Sequence, residues 1–168
     1  MIMFRRPALS NTPQKTKRRG VAAVELALVL PIFMTIAFVA IESGHALNKV
    51  QVLEGAVRDG GRMAAKDIEP SLLLAGQTAN DKVITDIKNM LVAEGFPIAS
   101  LTVTLTHADG ANVGQTFDLS LASNQHKLVK VKVTCPYTAV SMFPMSMGTS
   151  RILDGTLVVS RGRSTLNL

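Results

Sequence analysis

Between Val21 and Ile41 every side chain is apolar or small except Glu25, Pro31 and Thr35. Coiled as one helix, residues 21 to 41 rise about 31 Å, the hydrocarbon thickness of a bilayer. The stretch is therefore expected to be a transmembrane helix, and the remainder of the chain has to be arranged around it. Its one anomaly is Glu25, an acid inside the N-terminal edge of the span. Such a residue costs about 2.5 to 3.5 kcal/mol at mid-membrane and less toward the edge, so it calls for a partner. A cut after Gly20 would supply one. It would free an ammonium on Val21, one helical turn from Glu25 of the same chain and within reach of Glu25 on a neighbour packed alongside.

The net charge of +6 suggests nucleic-acid binding until it is located. Arg5, Arg6, Lys15, Lys17, Arg18 and Arg19 precede Gly20 with no acid among them, and the 12 basic residues that follow balance the 12 acidic ones. The positive-inside rule then places the N-terminus in the cytoplasm and the C-terminal domain outside. No nucleic-acid partner is expected.

The order of these features carries a resemblance. A basic leader ending in Gly20, then a hydrophobic helix with Glu25 as its fifth residue, resembles the type IV prepilin signal read by prepilin peptidases. The string from Arg19 to Phe33, followed by Gln51 to Ala65, resembles more narrowly the TadE-like minor pilins of tight-adherence pili. The resemblance implies cleavage between Gly20 and Val21, pairing of Glu25 with the Val21 ammonium of an adjacent subunit, and N-methylation of Val21. It implies as partners a prepilin peptidase, other pilins with their assembly machinery, and membrane lipid. The chain would be an inner-membrane, single-pass protein with a periplasmic C-terminal domain, incorporated in an extracellular pilus.

Four segments are expected: a cleaved leader over 1–20, unstructured until processed; the transmembrane helix over 21–41; an amphipathic continuation over 42–67; and an extracytoplasmic α+β domain over 68–168. Pro31 removes a donor from the helix and leaves the Ala27 carbonyl unpaired, with Thr35 placed to compensate in part. Past Ile41, the residues Ala46, Val50, Leu53, Val57, Gly60 and Ala64 form a narrow stripe opposite Gln51, Arg58, Arg62 and Lys66. Gly60 and Gly61 allow either a break there or close packing. Glu69-Pro70 stops the helix.

A second helix is expected over 80–94, capped by Thr78 or Asn80 and stopped by Gly95. Its inward face would hold Val83, Ile84, Ile87, Met90 and Leu91. From residue 101 the period falls to two, which predicts strands over 101–106, 116–121, 129–134 and 156–160 with turns at Asp109-Gly110 and Ser123-Asn124. The fold class is α+β, a pilin-like long N-terminal helix packed on a small antiparallel sheet.

Catalytic chemistry has little support. His45, His107 and His126 are read as surface or edge residues, and no metal-ligand spacing, nucleophile elbow or phosphate loop occurs, so no cofactor and no metal is expected. Cys135, the sole cysteine, falls in phase with Val129, Val131 and Val133 and reads as a buried thiol. Met142, Met145 and Met147 could hold Cu(I), but packing or contact is the favoured reading.

The leading expectation is a minor pilin precursor, structural and not an enzyme. A signal-anchored periplasmic binding or adaptor protein, with Glu25 incidental, is the alternative. An anchored hydrolase stands third, and an ordinary secretory signal cut near Gly44-His-Ala46 is a further rival for the N-terminus.

Overall fold

A computed structural model describes residues 16–66, 68–142 and 151–162. The elements in chain order are α1 (Thr16–Ala65), α2 (Ala79–Ala93), β1 (Thr102–His107), β2 (Leu128–Pro136) and β3 (Ile152–Ser160). The chain divides into two compact units, one up to Ile41 and one from Glu42. Helix α1 contributes to both.

In the first unit, α1 stays helical through Pro31, and its apolar side chains are bare: Leu28, Ile32, Phe33 and Ile36 are each more than 60% exposed. The Thr35 hydroxyl donates to the Pro31 carbonyl at 2.8 Å, not to the Ala27 carbonyl expected to need it. Within the described part of the expected leader, residues 16–20 are helical, contrary to the unstructured leader anticipated. Once a helix is nucleated, each added residue gains a hydrogen bond, so it propagates backward into a Thr-Lys-Arg-Arg run with no breaker before Gly20.

The second unit is an α+β layer in which α1 and α2 cover one face of a three-stranded antiparallel sheet of order β1-β2-β3. The stripe on α1 is buried at Leu53, Ala56, Val57 and Ala64, and α2 turns Ala79, Val83, Ile87 and Leu91 inward. Met90, expected on that face, is exposed. Thr78 caps α2 in a reciprocal box with Asp81: the Asp81 amide donates to the Thr78 hydroxyl at 3.1 Å, and the Thr78 amide donates to the Asp81 carboxylate at 3.1 Å. The Thr78 hydroxyl also donates to the Asp81 carboxylate at 2.6 Å, and this bond, followed by that from the Thr78 amide, holds the Asp81 carboxyl below its usual range.

The Gly60-Gly61 pair does not break α1. A Cβ on Gly60 would collide with Ile87, and one on Gly61 would lie 2.5 Å from a Leu157 methyl. On the sheet side, a Cβ on Gly155 would lie 2.6 Å from Leu53. Glycine at these places leaves room for the Ile87, Leu157 and Leu53 side chains to pack against the backbone, which offsets its poor helix propensity in α1.

The strand expected over 116–121 is absent. Phe117 and Leu119 are buried as alternation requires; the Phe117 amide reaches β1 at the Leu105 carbonyl (2.9 Å), but past that point a distant side chain takes over. Asn80 donates to the Phe117 carbonyl at 2.6 Å and accepts the Leu119 amide at 2.8 Å, as a strand neighbour would. Asp118 turns back on Ser120, whose amide it accepts at 2.8 Å, and Asn124 holds the Asp118 carbonyl. The segment is thus an extended arm that touches the β1 edge only through residues 113–117 and is tied to α2 beyond them, without forming a full strand.

Asn80→Ala leaves two backbone groups of this arm without partners and is expected to lower the unfolding free energy by about 2 kcal/mol. Chemical denaturation of the detergent-solubilised chain, followed by circular dichroism, measures it. A loss below about 0.5 kcal/mol, smaller than one ordinary hydrogen bond, would contradict the role given to Asn80.

Candidate functional site

Gly20, Val21 and Glu25 lie on the first turns of α1, and all three are exposed. Space around Gly20 is open, since a Cβ there would meet nothing within 4 Å. Among the residues whose side chains are described, none donates a hydrogen bond or ion pair to Glu25. From Gly20, α1 is the helix among the described residues long and apolar enough to cross a membrane. Its most apolar window has mean hydropathy 2.5 and no buried residue. One N-terminal apolar helix of this kind fits a single-pass membrane anchor.

In the intact chain the Gly20–Val21 peptide is a link within the helix, and Val21 carries an amide, not an ammonium. Glu25 therefore has no cationic partner from Val21 until the backbone is cut between them. What the arrangement offers chemically is a carboxylate on a helix face whose neighbours, among the residues with described side chains, are apolar.

A second acid escaped the sequence reading. Glu42 is 6% exposed and accepts a hydrogen bond from the Tyr137 hydroxyl. Three helical positions onward, His45 Nε2 lies 2.8 Å from the Val140 carbonyl. Lys49 then donates to the Glu94 carbonyl at 2.7 Å and stands 4.8 Å from the centre of the Phe96 ring. Glu42, His45 and Lys49 thus share one side of α1 and tie it to the chain following β2 and the chain following α2. The only local signal for Glu42 was its position directly after the apolar run; its partner lies 95 residues away.

Beside this seam is a cavity of about 280 Å³ lined by Glu42, Ala46, Leu47, Tyr137, Arg151 and Leu153 among others. Tyr137 is itself buried, and that burial, reinforced by the bond to Glu42 and by its negative charge, pushes the phenol up to about 12.

The other residues singled out from sequence are scattered. His107 is buried and packs on Phe117 with ring centres 4.6 Å apart, which corrects its reading as an edge residue; it is in phase with Val103 and Leu105 on the inward face. His126 is exposed with φ of 62°. Cys135 is fully buried, and burial raises its thiol pKa, so it is held as the unreactive thiol. Met142 is exposed, while Met145 and Met147 lie outside the described residues. Among the described residues no cluster of His, Cys, Asp and Glu could hold a metal.

The fold favours the neutral Tyr137 phenol, because its pKa there lies above the ordinary value of 10.0. The linked stability is complete below pH 10 and is lost as the pH rises toward 12. The chain has one tyrosine and no tryptophan, so phenolate absorbance reads this group alone. A midpoint near 12, or a titration coincident with alkaline unfolding, is expected; a reversible midpoint at the ordinary value in the folded protein would contradict the burial of this pair.

Against known proteins, residues 20–62 match the family described as TadE-like protein. No curated protein and no solved structure matches the chain.

Proposed function

From the premise that residues 20–62 are a TadE-like segment of a pilus-associated chain, we propose that the protein is the precursor of a minor pilin. Prepilin peptidase cuts it between Gly20 and Val21, and the mature subunit serves a structural role in a tight-adherence pilus. The observation that carries this reading is Glu25: a single acid on an exposed apolar helix, without a described partner, at the position where a cut after Gly20 would create one.

Before cleavage the helix spans the bilayer, with the basic segment that ends at Arg19 on the cytoplasmic side and the unit from Glu42 in the periplasm. Since Gly20 and Val21 are helical in the intact chain, the first turns of α1 must open before a peptidase can read an extended backbone there. Glycine, which costs a helix interior about 1 kcal/mol relative to alanine, lowers that opening cost. Cleavage leaves the Val21 ammonium at the head of the helix.

In the assembled fibre, Glu25 of one subunit meets the Val21 ammonium of the next. Each charge then lowers the burial cost of the other, and subunits staggered so that the two do not meet are disfavoured. Membrane lipid, the peptidase and other pilins are the partners in this scheme. The chain is a substrate of proteolysis and contributes no catalytic group.

Two variants test the reading. Gly20→Trp fits the open space around Gly20 and is expected to leave full-length precursor in membranes by intact-protein mass spectrometry, whereas normal processing would count heavily against it. Glu25→Ala is expected to insert normally yet be depleted from sheared fibres by about tenfold, as loss of a charge pair worth roughly 1.4 kcal/mol implies. Equal recovery of mutant and wild type would remove the pairing role.

A further inference from the structure

Glu42 is satisfied on one side only. Its Oε1 accepts the Tyr137 hydroxyl, while its Oε2 is buried and has no hydrogen-bond partner. A buried polar atom left in that state is rare in a folded protein and marks a place where something else supplies the bond. The cavity of about 280 Å³ described above has Glu42 in its wall. The last torsion of a glutamate is broad, so a turn of the carboxylate brings Oε2 to a donor placed there.

Arg151, directly before β3, lines the same cavity. Its side chain is exposed and, among the described residues, makes no ion pair. Burial foremost pushes the Tyr137 phenol up, and the positive charge of Arg151 opposes that push. The guanidinium is therefore close enough to be felt at the hydroxyl that Glu42 holds. A carboxylate and a guanidinium thus share one cavity without being joined, and the wall between them is apolar at Ala46, Leu47 and Leu153. The space is far larger than one bridging water requires and is near the lower end of small-molecule sites.

Those two charges select the guest. A bare cation would satisfy Glu42 and be repelled by Arg151, and a bare anion would meet the reverse. A neutral guest would leave both charges unanswered. What fits is a molecule with an N–H cation and an anion a few atoms apart. Glu42 directly follows Ile41, the last residue of the apolar run, so chain adjacency alone puts its carboxylate where the polar headgroups of a bilayer begin. We propose that the cavity binds the headgroup of a phosphoethanolamine lipid. The ammonium donates to Glu42 Oε2, the phosphate accepts from Arg151, and the glycerol end lies along Leu47. The choice of a lipid over a soluble zwitterion rests on the membrane reading above; the match of charges does not.

The test uses the full-length protein in nanodiscs made of equal parts phosphatidylethanolamine, phosphatidylcholine and phosphatidylglycerol, with the lipids retained on the protein read by native mass spectrometry. Phosphatidylcholine keeps the phosphate and the positive charge but has no N–H, and phosphatidylglycerol keeps only the phosphate. Phosphatidylethanolamine is expected to be retained about tenfold over either, as loss of one charge-assisted hydrogen bond implies. Glu42→Gln still accepts the Tyr137 hydroxyl and should erase that preference. Leu47→Glu, at an exposed position where folding is not at stake, places an acid against the phosphate and should reduce retention of phosphatidylethanolamine by a similar factor.

Equal retention of the three lipids by the wild type would overturn the site, and so would a preference that survives both variants. Soluble O-phosphoethanolamine that binds the detergent-solubilised protein as tightly as the lipid does would overturn the choice of a lipid. Carbonate extraction of native membranes reads the anchor separately. A chain released by carbonate that still binds O-phosphoethanolamine, and loses it in Glu42→Gln, would remove the membrane reading and the lipid while leaving the charge-matched cavity.

Discussion

Water cannot be the final surroundings of α1 up to Ile41. Its apolar side chains are bare along the whole segment, and at about 25 cal/mol per Å² each bare Leu, Ile or Phe side chain forgoes roughly 1.5 to 3 kcal/mol of burial. Lipid or the helices of neighbouring subunits can take up that surface, and the two environments place opposite demands on Glu25. In lipid its charge is a penalty; between packed helices it becomes an asset once an ammonium stands opposite. A cleavage that makes such an ammonium at Val21 would move the same helix from preferring one environment to preferring the other.

The second unit solves a different problem, that of fixing a small sheet to one side of a helix. At Gly60, Gly61 and Gly155 the side chains of Ile87, Leu157 and Leu53 fill the space that a Cβ would have occupied. At the Glu42 end the contacts turn polar, with Glu42, His45 and Lys49 each engaging a different group in the chain beyond. Tight packing along the glycines and directional bonds at the Glu42 end together leave the helix one way to lie on the sheet. On the far side of the sheet, the arm at 113–117 closes the β1 edge.

Much of this architecture was legible because it is periodic. The spacing of Leu53, Val57, Gly60 and Ala64 announced a packed helix face, and the alternation in Val129, Val131 and Val133 announced a half-buried strand. Alternation also contained the burial of His107, in phase with Val103 and Leu105, although a histidine at a strand end reads more readily as a surface residue. Ties across long separations were not legible. Asn80 replaces a strand partner for residues 117 and 119, and Tyr137 binds Glu42; neither leaves a trace in local pattern. At the N-terminus the informative feature was a violation of pattern, an acid in an apolar span. For the same reason Gly20, Val21 and Glu25 stood out together before any fold was known, while the helical state of residues 16–20 depended on propagation from the segment after them.

Whether the native protein begins at Val21 decides the central claim most directly. Edman degradation or terminal-peptide mass spectrometry on protein extracted from its own cell membranes, or from sheared fibres, reads that residue. The sequence Val-Ala-Ala-Val-Glu, with or without N-methylation of the valine, is the predicted result. A protein that starts at Met1, or at any residue other than Val21, would leave Glu25 without the ammonium it is proposed to meet and would contradict the pilin precursor.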